Sequence, residues 1–260
     1  MTQAAKAERD RLKAHADSAD LRLTDLIMGT EIAVAGLDLV LLGVDEYDEP
    51  FTTDITVKGE IKKISKPWPE LEPNLREQIN HEQYKKSLVF AVAEAEDHIA
   101  SYIRIILRAY PDRLIRGSSG GESLKSVPLI DFIRKDRKDL INSLIQDSIN
   151  SIMREQPRNY LKYLGQVIGR PLAKEAIDQF CEVCATRDLI VHCQGKINSV
   201  YIDKARKLAR GSLGDFAVVD EKYFKSSIAN VISDVYKDIY AAICAVFGKD
   251  EKIDAVLSEI

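Results

Sequence analysis

Arg187, Asp188 and His192 lie close together in the segment Cys181-Glu-Val-Cys-Ala-Thr-Arg-Asp-Leu-Ile-Val-His-Cys-Gln-Gly-Lys-Ile-Asn198. An imidazole, with an ordinary pKa of about 6.5, takes and gives protons near neutral pH. A guanidinium forks onto phosphate or carboxylate oxygens. Asp188 is four residues before His192, within reach of it along a helix, where it would fix the ring in one tautomer or anchor Arg187. On a helix, Ile177, Phe180, Cys184, Arg187 and Val191 form one stripe, and Ile177, Cys181, Cys184, Asp188 and His192 the adjoining one. An apolar seam thus turns polar at its end. Arg187 sits roughly 140° around from His192, but its side chain is long enough to reach the same space. Charges on a buried seam need partners, because desolvating them alone costs several kcal/mol.

The same segment offers zinc ligand types in Cys181, Cys184, His192 and Cys193. Helical geometry argues against a shared metal. At 1.5 Å per residue, Cys184 and His192 are roughly 12 Å apart along the axis and Cys181 and His192 roughly 16 Å, whereas zinc needs its ligands within about 2.0–2.3 Å of one point. The cysteines therefore read as small core residues, and neither a metal nor another cofactor is expected.

The elements that must position these groups are helical. Residues 3 to 28 read as a charged amphipathic helix, and residues 30 to 43 as a more apolar one, interrupted by Glu31 and Asp38 and too short for a bilayer. Between Gly43 and Pro73 the pattern breaks into an acidic turn, a small alternating hairpin around Lys58-Gly59, and the stiff Lys66-Pro-Trp-Pro69. We expect an N-terminal extension over 1–73 and a main domain over 74–260. Asn74 to Tyr110 is predicted helical, with Leu88, Ala91, Val92, Ala95, Ile99, Tyr102 and Ile106 inward, Glu96 at the edge of that face, and His98 on the surface. Gly117-Ser-Ser-Gly-Gly121 lacks the order of a phosphate loop and reads as a linker.

Pro128 to about Glu155 is predicted as a further helix with Ile130, Ile133, Leu140, Leu144, Ile145, Ile149 and Ile152 inside, followed by a shorter one from Pro157 to Ile168. Pro171 fits the first turn of the helix bearing the motif, and Gly195 its end. Lys196 to Arg210 reads as a kinked continuation, and its Lys196, Lys204, Arg206, Lys207 and Arg210 form the basic stretch beside the motif. Glu221 to Phe247 is a final long helix. The fold class is all-α, an antiparallel bundle.

With 37 Lys and Arg against 41 Asp and Glu, the net charge is −4, so any nucleic acid must be held by a local patch and not by bulk charge. The first fifteen residues lack the basic tip and apolar run of a secretory signal, and four cysteines without one suit a reducing compartment. The expected location is cytoplasmic, without membrane attachment.

Arg187-Asp188-Leu-Ile-Val-His192, with Gly195 behind it and Ala-Glu-Ala-Glu96-Asp-His-Ile on an earlier helix, resembles the R-x(4–6)-H signature of HEPN domains. The resemblance covers roughly residues 80 to 247. It implies an all-helical bundle, a metal-independent endoribonuclease of toxin or defence type, and a homodimer whose two motifs line one cleft. Arg187, Asp188 and His192 would then be the catalytic set, Glu96 the supporting acidic residue, and Lys196, Lys204, Arg206 and Lys207 the RNA contacts, with an antitoxin or regulatory partner in some members. The alternative implied is a non-cleaving HEPN module that binds RNA or mediates oligomerisation. The chain departs from the family in carrying Asp188 where Asn is more common, and Gln194 where some members carry a tyrosine that a partner modifies.

Overall fold

The computed structural model describes residues 3–42, 49–57, 59–114, 136–248 and 251–258. The Gly117–Gly121 stretch and the predicted helix start at Pro128, with Ile130 and Ile133, lie outside them. Among the described residues helices predominate and a two-stranded hairpin is the only sheet, so the fold is all-α as its periodicity predicts.

The first helix, α1 (Gln3–Leu42), runs unbroken through Gly29, where the sequence suggests two separate stretches. The Thr30 hydroxyl donates to the Leu26 carbonyl (2.7 Å) and lies 2.7 Å from the Ser87 hydroxyl, so this step is satisfied inside the helix and tied to its neighbour. Strands β1 (Phe51–Val57) and β2 (Glu60–Lys66) pair antiparallel from Phe51↔Lys66 to Val57↔Glu60, with Gly59 at φ 83° in the turn. Helix α2 (Trp68–Glu77) starts ahead of the predicted Asn74, because Pro67 cannot continue a helix backward and Pro69 sits in the first turn, where no intrahelical N–H is needed. A wide turn over Gln78–Glu82 leads into α3 (Gln83–Ala109), the central helix.

The predicted inner face of α3 is fully buried, from Leu88, Ala91 and Val92 to Tyr102 and Ile106. Each large side chain there contributes about 1.5–3 kcal/mol. Around it pack α4 (Arg137–Ile152), α5 (Pro157–Ile168), the motif helix α6 (Lys174–Cys193), and α10 (Glu251–Ser258), while Leu12, Ala19 and Leu23 of α1 enter the same core. Short α7 (Ser199–Ala205) follows the motif. The predicted final long helix is α8 (Glu221–Ser226) and α9 (Ser233–Phe247), joined by a wide turn at Ser227–Ile232.

His98 corrects one expectation. Instead of facing solvent it is 1% exposed, stacked on His15 of α1 (ring centroids 4.6 Å) and enclosed by Tyr102 and Tyr236. On α3 alone it points away from the core, but α1 covers that side. Burial holds its pKa down to about 3 and lowers that of His15 as well.

Among the described residues, no helix is long and apolar enough to cross a membrane.

Candidate functional site

The motif helix opens at Lys174, three residues later than Pro171 suggests. Gly165 of α5 explains the delay. A Cβ there would meet the Arg170 carbonyl at 3.0 Å and the Pro171 Cα at 3.3 Å, so this stretch is spent folding back tightly over α5. The Ala173 N–H then donates to Asp238 Oδ2 of α9 (2.6 Å), satisfying one orphan donor at the helix start. At the other end Gln194 (φ 52°) and Gly195 (φ 79°) adopt left-handed conformations and both donate to the Leu189 carbonyl. The chain does not continue as a kinked helix. Lys196 forms an antiparallel bridge with Phe216, and the Asn198 side chain caps α7 by accepting from the Tyr201 N–H (2.9 Å).

The polar end of the motif helix gathers groups from four helices. Arg187 Nη2 donates to both Glu96 oxygens of α3, at 2.9 and 3.1 Å. The Tyr160 hydroxyl of α5 donates to Glu96 Oε1 (3.3 Å). Arg187 Nε lies 3.1 Å from Asp188 Oδ1, an ion-pair contact without hydrogen-bond alignment. Lys204 Nζ of α7 donates to Asp188 Oδ2 at 2.9 Å. Burial pushes the Glu96 carboxyl up, with the Arg187 guanidinium pulling the other way. Burial also works against the Arg187 charge, but Glu96 and Asp188 more than offset it and hold its proton more firmly than usual. Two anions and two cations alternate along this chain, so it is balanced within itself.

Of the two roles open to Asp188, the structure places its oxygens toward Arg187 and Lys204. Among the described residues no hydrogen bond joins it to His192. His192 is exposed at the end of the helix, beside Val191, which is 52% exposed. The other imidazoles lie elsewhere: His15 and His98 in the α1–α3 contact, His81 against the Val219 carbonyl at 3.4 Å. One chain thus brings one imidazole to this site.

The basic residues divide. Lys204 is engaged by Asp188, while Lys196, Arg206 and Lys207 are exposed. Arg206 and Lys204 line a small cleft beside the motif helix with Asp188, Asp203, Cys184 and Arg158, and Arg158 at the start of α5 pairs with Asp178 (2.5 Å). Burial raises the thiol pKa of Cys181 and Cys184, which keeps both neutral.

Sequence reasoning missed Glu182, one turn before the motif. It is 6% exposed and its Oε1 accepts from the Thr186 hydroxyl (2.8 Å), the Tyr201 hydroxyl (2.8 Å) and Arg210 Nε (2.9 Å). Its Oε2 accepts from the Tyr223 hydroxyl at 2.8 Å. Arg210 stacks 3.5 Å over the Tyr223 ring and donates to the Val218 carbonyl. This hub fastens α7, the following loop and α8 to the motif helix, and so positions Lys204. A charged residue inside the otherwise apolar run from Phe180 to Ala185 was the available signal.

Fold and site together define an all-α protein whose central helices carry a charge-balanced Arg–Glu–Asp–Lys chain ending near an exposed histidine. Comparison with protein families, with curated proteins and with solved structures finds no match.

Proposed function

We propose that this protein is a metal-independent endoribonuclease of HEPN type, with a site completed by a second copy of the chain. The observation that carries the reading is Arg187 held by carboxylates from two helices, on the same helix end that leaves His192 open to solvent. In this reading His192 of one copy takes the proton of the ribose 2′-hydroxyl as its oxygen attacks phosphorus. The bond to the 5′-oxygen breaks, and His192 of the second copy gives that oxygen a proton. The products are a 2′,3′-cyclic phosphate and a 5′-hydroxyl. Arg187 faces the charge that builds on the phosphorane, which a preorganised donor stabilises without reorganising. Glu96 and Asp188 set the guanidinium plane, and the cleft with Lys204 and Arg206, flanked by Lys196 and Lys207, takes the neighbouring phosphates.

The test is cleavage of labelled RNA in EDTA. His192→Ala is expected to lose about 10²–10⁴-fold in rate with its helical circular dichroism unchanged. RNA carrying 2′-deoxyribose at the cut position is expected to stay intact. Cleavage of that substrate, or loss of activity in EDTA, would overturn the mechanism.

A second reading rests on the charge balance of the site. Glu96 and Asp188 neutralise Arg187 and Lys204 without any ligand, which suits a tie between helices in a module that binds RNA or assembles without cutting it. RNA binding without cleavage, indifferent to His192→Ala, is the result that would select this reading.

A further inference from the structure

Helix α1 is apolar on two opposite sides. Leu23, Thr30 and Val34 face α3 and the core. Two positions away, about 200° around the helix, Leu21, Met28, Ile32, Leu39 and Leu42 are 57–78% exposed. With Asp25 and Ala35 the outer set runs 21, 25, 28, 32, 35, 39, 42, an unbroken alternation of four- and three-residue steps. That is the heptad spacing by which one helix seats side chains between those of another. A helix with apolar stripes on opposite sides is ordinarily covered on both.

We propose that this outer stripe pairs antiparallel with the same stripe of a second copy, forming a two-fold helix–helix interface distinct from the motif face. The periodicity requires a helical occupant with a matching repeat, and α1 matches itself. With Ile32 on the two-fold axis, Met28 meets Ala35 of the second copy, large on small, and Leu21 meets Leu42. On one flank Gly29 then faces Gly36 of the second copy, where a Cβ on either would touch nothing within 4 Å of its own chain, so the helices can approach closely. The seam residues select the direction. A parallel pair would set Asp25 against Asp25 and leave a gap between two copies of Ala35, whereas the antiparallel pair sets Asp25 against Leu39. Glu31, at the edge, shares Lys225 (3.0 Å) with Glu221 (2.6 Å). The five exposed side chains offer roughly 600 Å² per copy, about 1,200 Å² for the pair, the lower bound of a stable specific interface.

The interface is also separate in space from the proposed active site. Helix α1 contacts α3 at Ser87, Glu94, His98 and Ser101, while Arg187 of the motif helix contacts it at Glu96. Glu96 and His98 are two positions apart on α3, so the two contacts lie on opposite sides of it.

Light scattering during size-exclusion chromatography tests the pairing. Ile32→Asp is expected to halve the mass of the wild-type particle at micromolar protein, with the helical spectrum unchanged because Ile32 faces outward. Cross-linking by a short bis-maleimide gives an independent readout, against wild-type protein as the background for the native cysteines. Ile32→Cys is expected to yield a covalent dimer and Leu39→Cys is not, since position 39 lies opposite 25. A monomeric wild type, or a mass untouched by Ile32→Asp, would overturn the proposal. So would cross-linking of Leu39→Cys as strong as that of Ile32→Cys. A wild type that stays monomeric and floats with phospholipid vesicles would assign the stripe to a membrane surface instead. Neither readout involves RNA, so this result and the cleavage result stand apart.

Discussion

Removing the Glu182 carboxylate should be the most damaging single change near the motif. The side chain is 8% exposed and accepts from four donors, at 2.8, 2.8, 2.9 and 2.8 Å. In Glu182→Ala the Arg210 guanidinium keeps its Val218 carbonyl and Thr186 contacts but loses its counter-ion, and the Tyr201 and Tyr223 hydroxyls lose their acceptor. Breaking a buried pair from one side costs about 3–5 kcal/mol. At about 2–4 °C per kcal/mol for a chain of this size, the thermal midpoint should fall by about 6–20 °C. Glu182→Gln keeps one acceptor oxygen and should fall between the two. The measurement is thermal unfolding followed by circular dichroism, on wild type and both variants at one protein concentration. Because the hub fastens α7, the weakened variant should also lose protection of α7 backbone amides against hydrogen exchange before α3 loses its own. A change within about 0.5 kcal/mol, the range of ordinary surface substitutions, would show that the network carries no such load.

Acid should destabilise the protein through the buried histidine pair. His98 is held down to about 3 and His15 is lowered, so below their ordinary 6.5 the unfolded chain binds protons that the folded one refuses. This stability is fully present above about pH 6.5 and declines on acidification by up to about 1.4 kcal/mol per pH unit for each group. Thermal midpoints from pH 7.5 to 4.5 should slope accordingly, and His98→Phe should flatten the slope; a wild type with no slope would contradict the burial. Glu96→Ala should cost about 1–2 kcal/mol, toward the lower end for a charged hydrogen bond because the pair is a quarter exposed. It should lower any RNA cleavage as Arg187 loses its holder, and a variant as stable and as active as wild type would remove Glu96 from the site.

The inner face of α3 could be read directly from the sequence because burial there follows helical period, and no other information is needed to know that Leu88 and Val92 point the same way. His98 was misplaced because its cover comes from α1, 83 residues away in the chain (His15 to His98), and a single-helix pattern contains nothing about a second helix on its back. Glu96 at the edge of the core stripe and Arg187 at the polar end of another were legible separately. Their contact depends on how two helices cross, which periodicity does not encode. The same holds for Lys204, whose pairing with Asp188 depends on how α7 turns against the motif helix. Glu182 was hidden by its position among cysteines and valine, where an apolar pattern draws attention to its neighbours.

The packing of α1 against α10 also governs when this fold can form. Arg11 reaches the Asp254 carbonyl (3.4 Å) across 243 residues of chain. At about 5–20 residues per second of synthesis, roughly 10–50 s separate the emergence of these two partners. For that interval α1 lacks its α10 partner. Contacts of such long sequence separation also slow folding, because the loop must close before they repay it. Docking of α1 against α10 should therefore be slow in refolding, with α3 and α6 protected against hydrogen exchange before it.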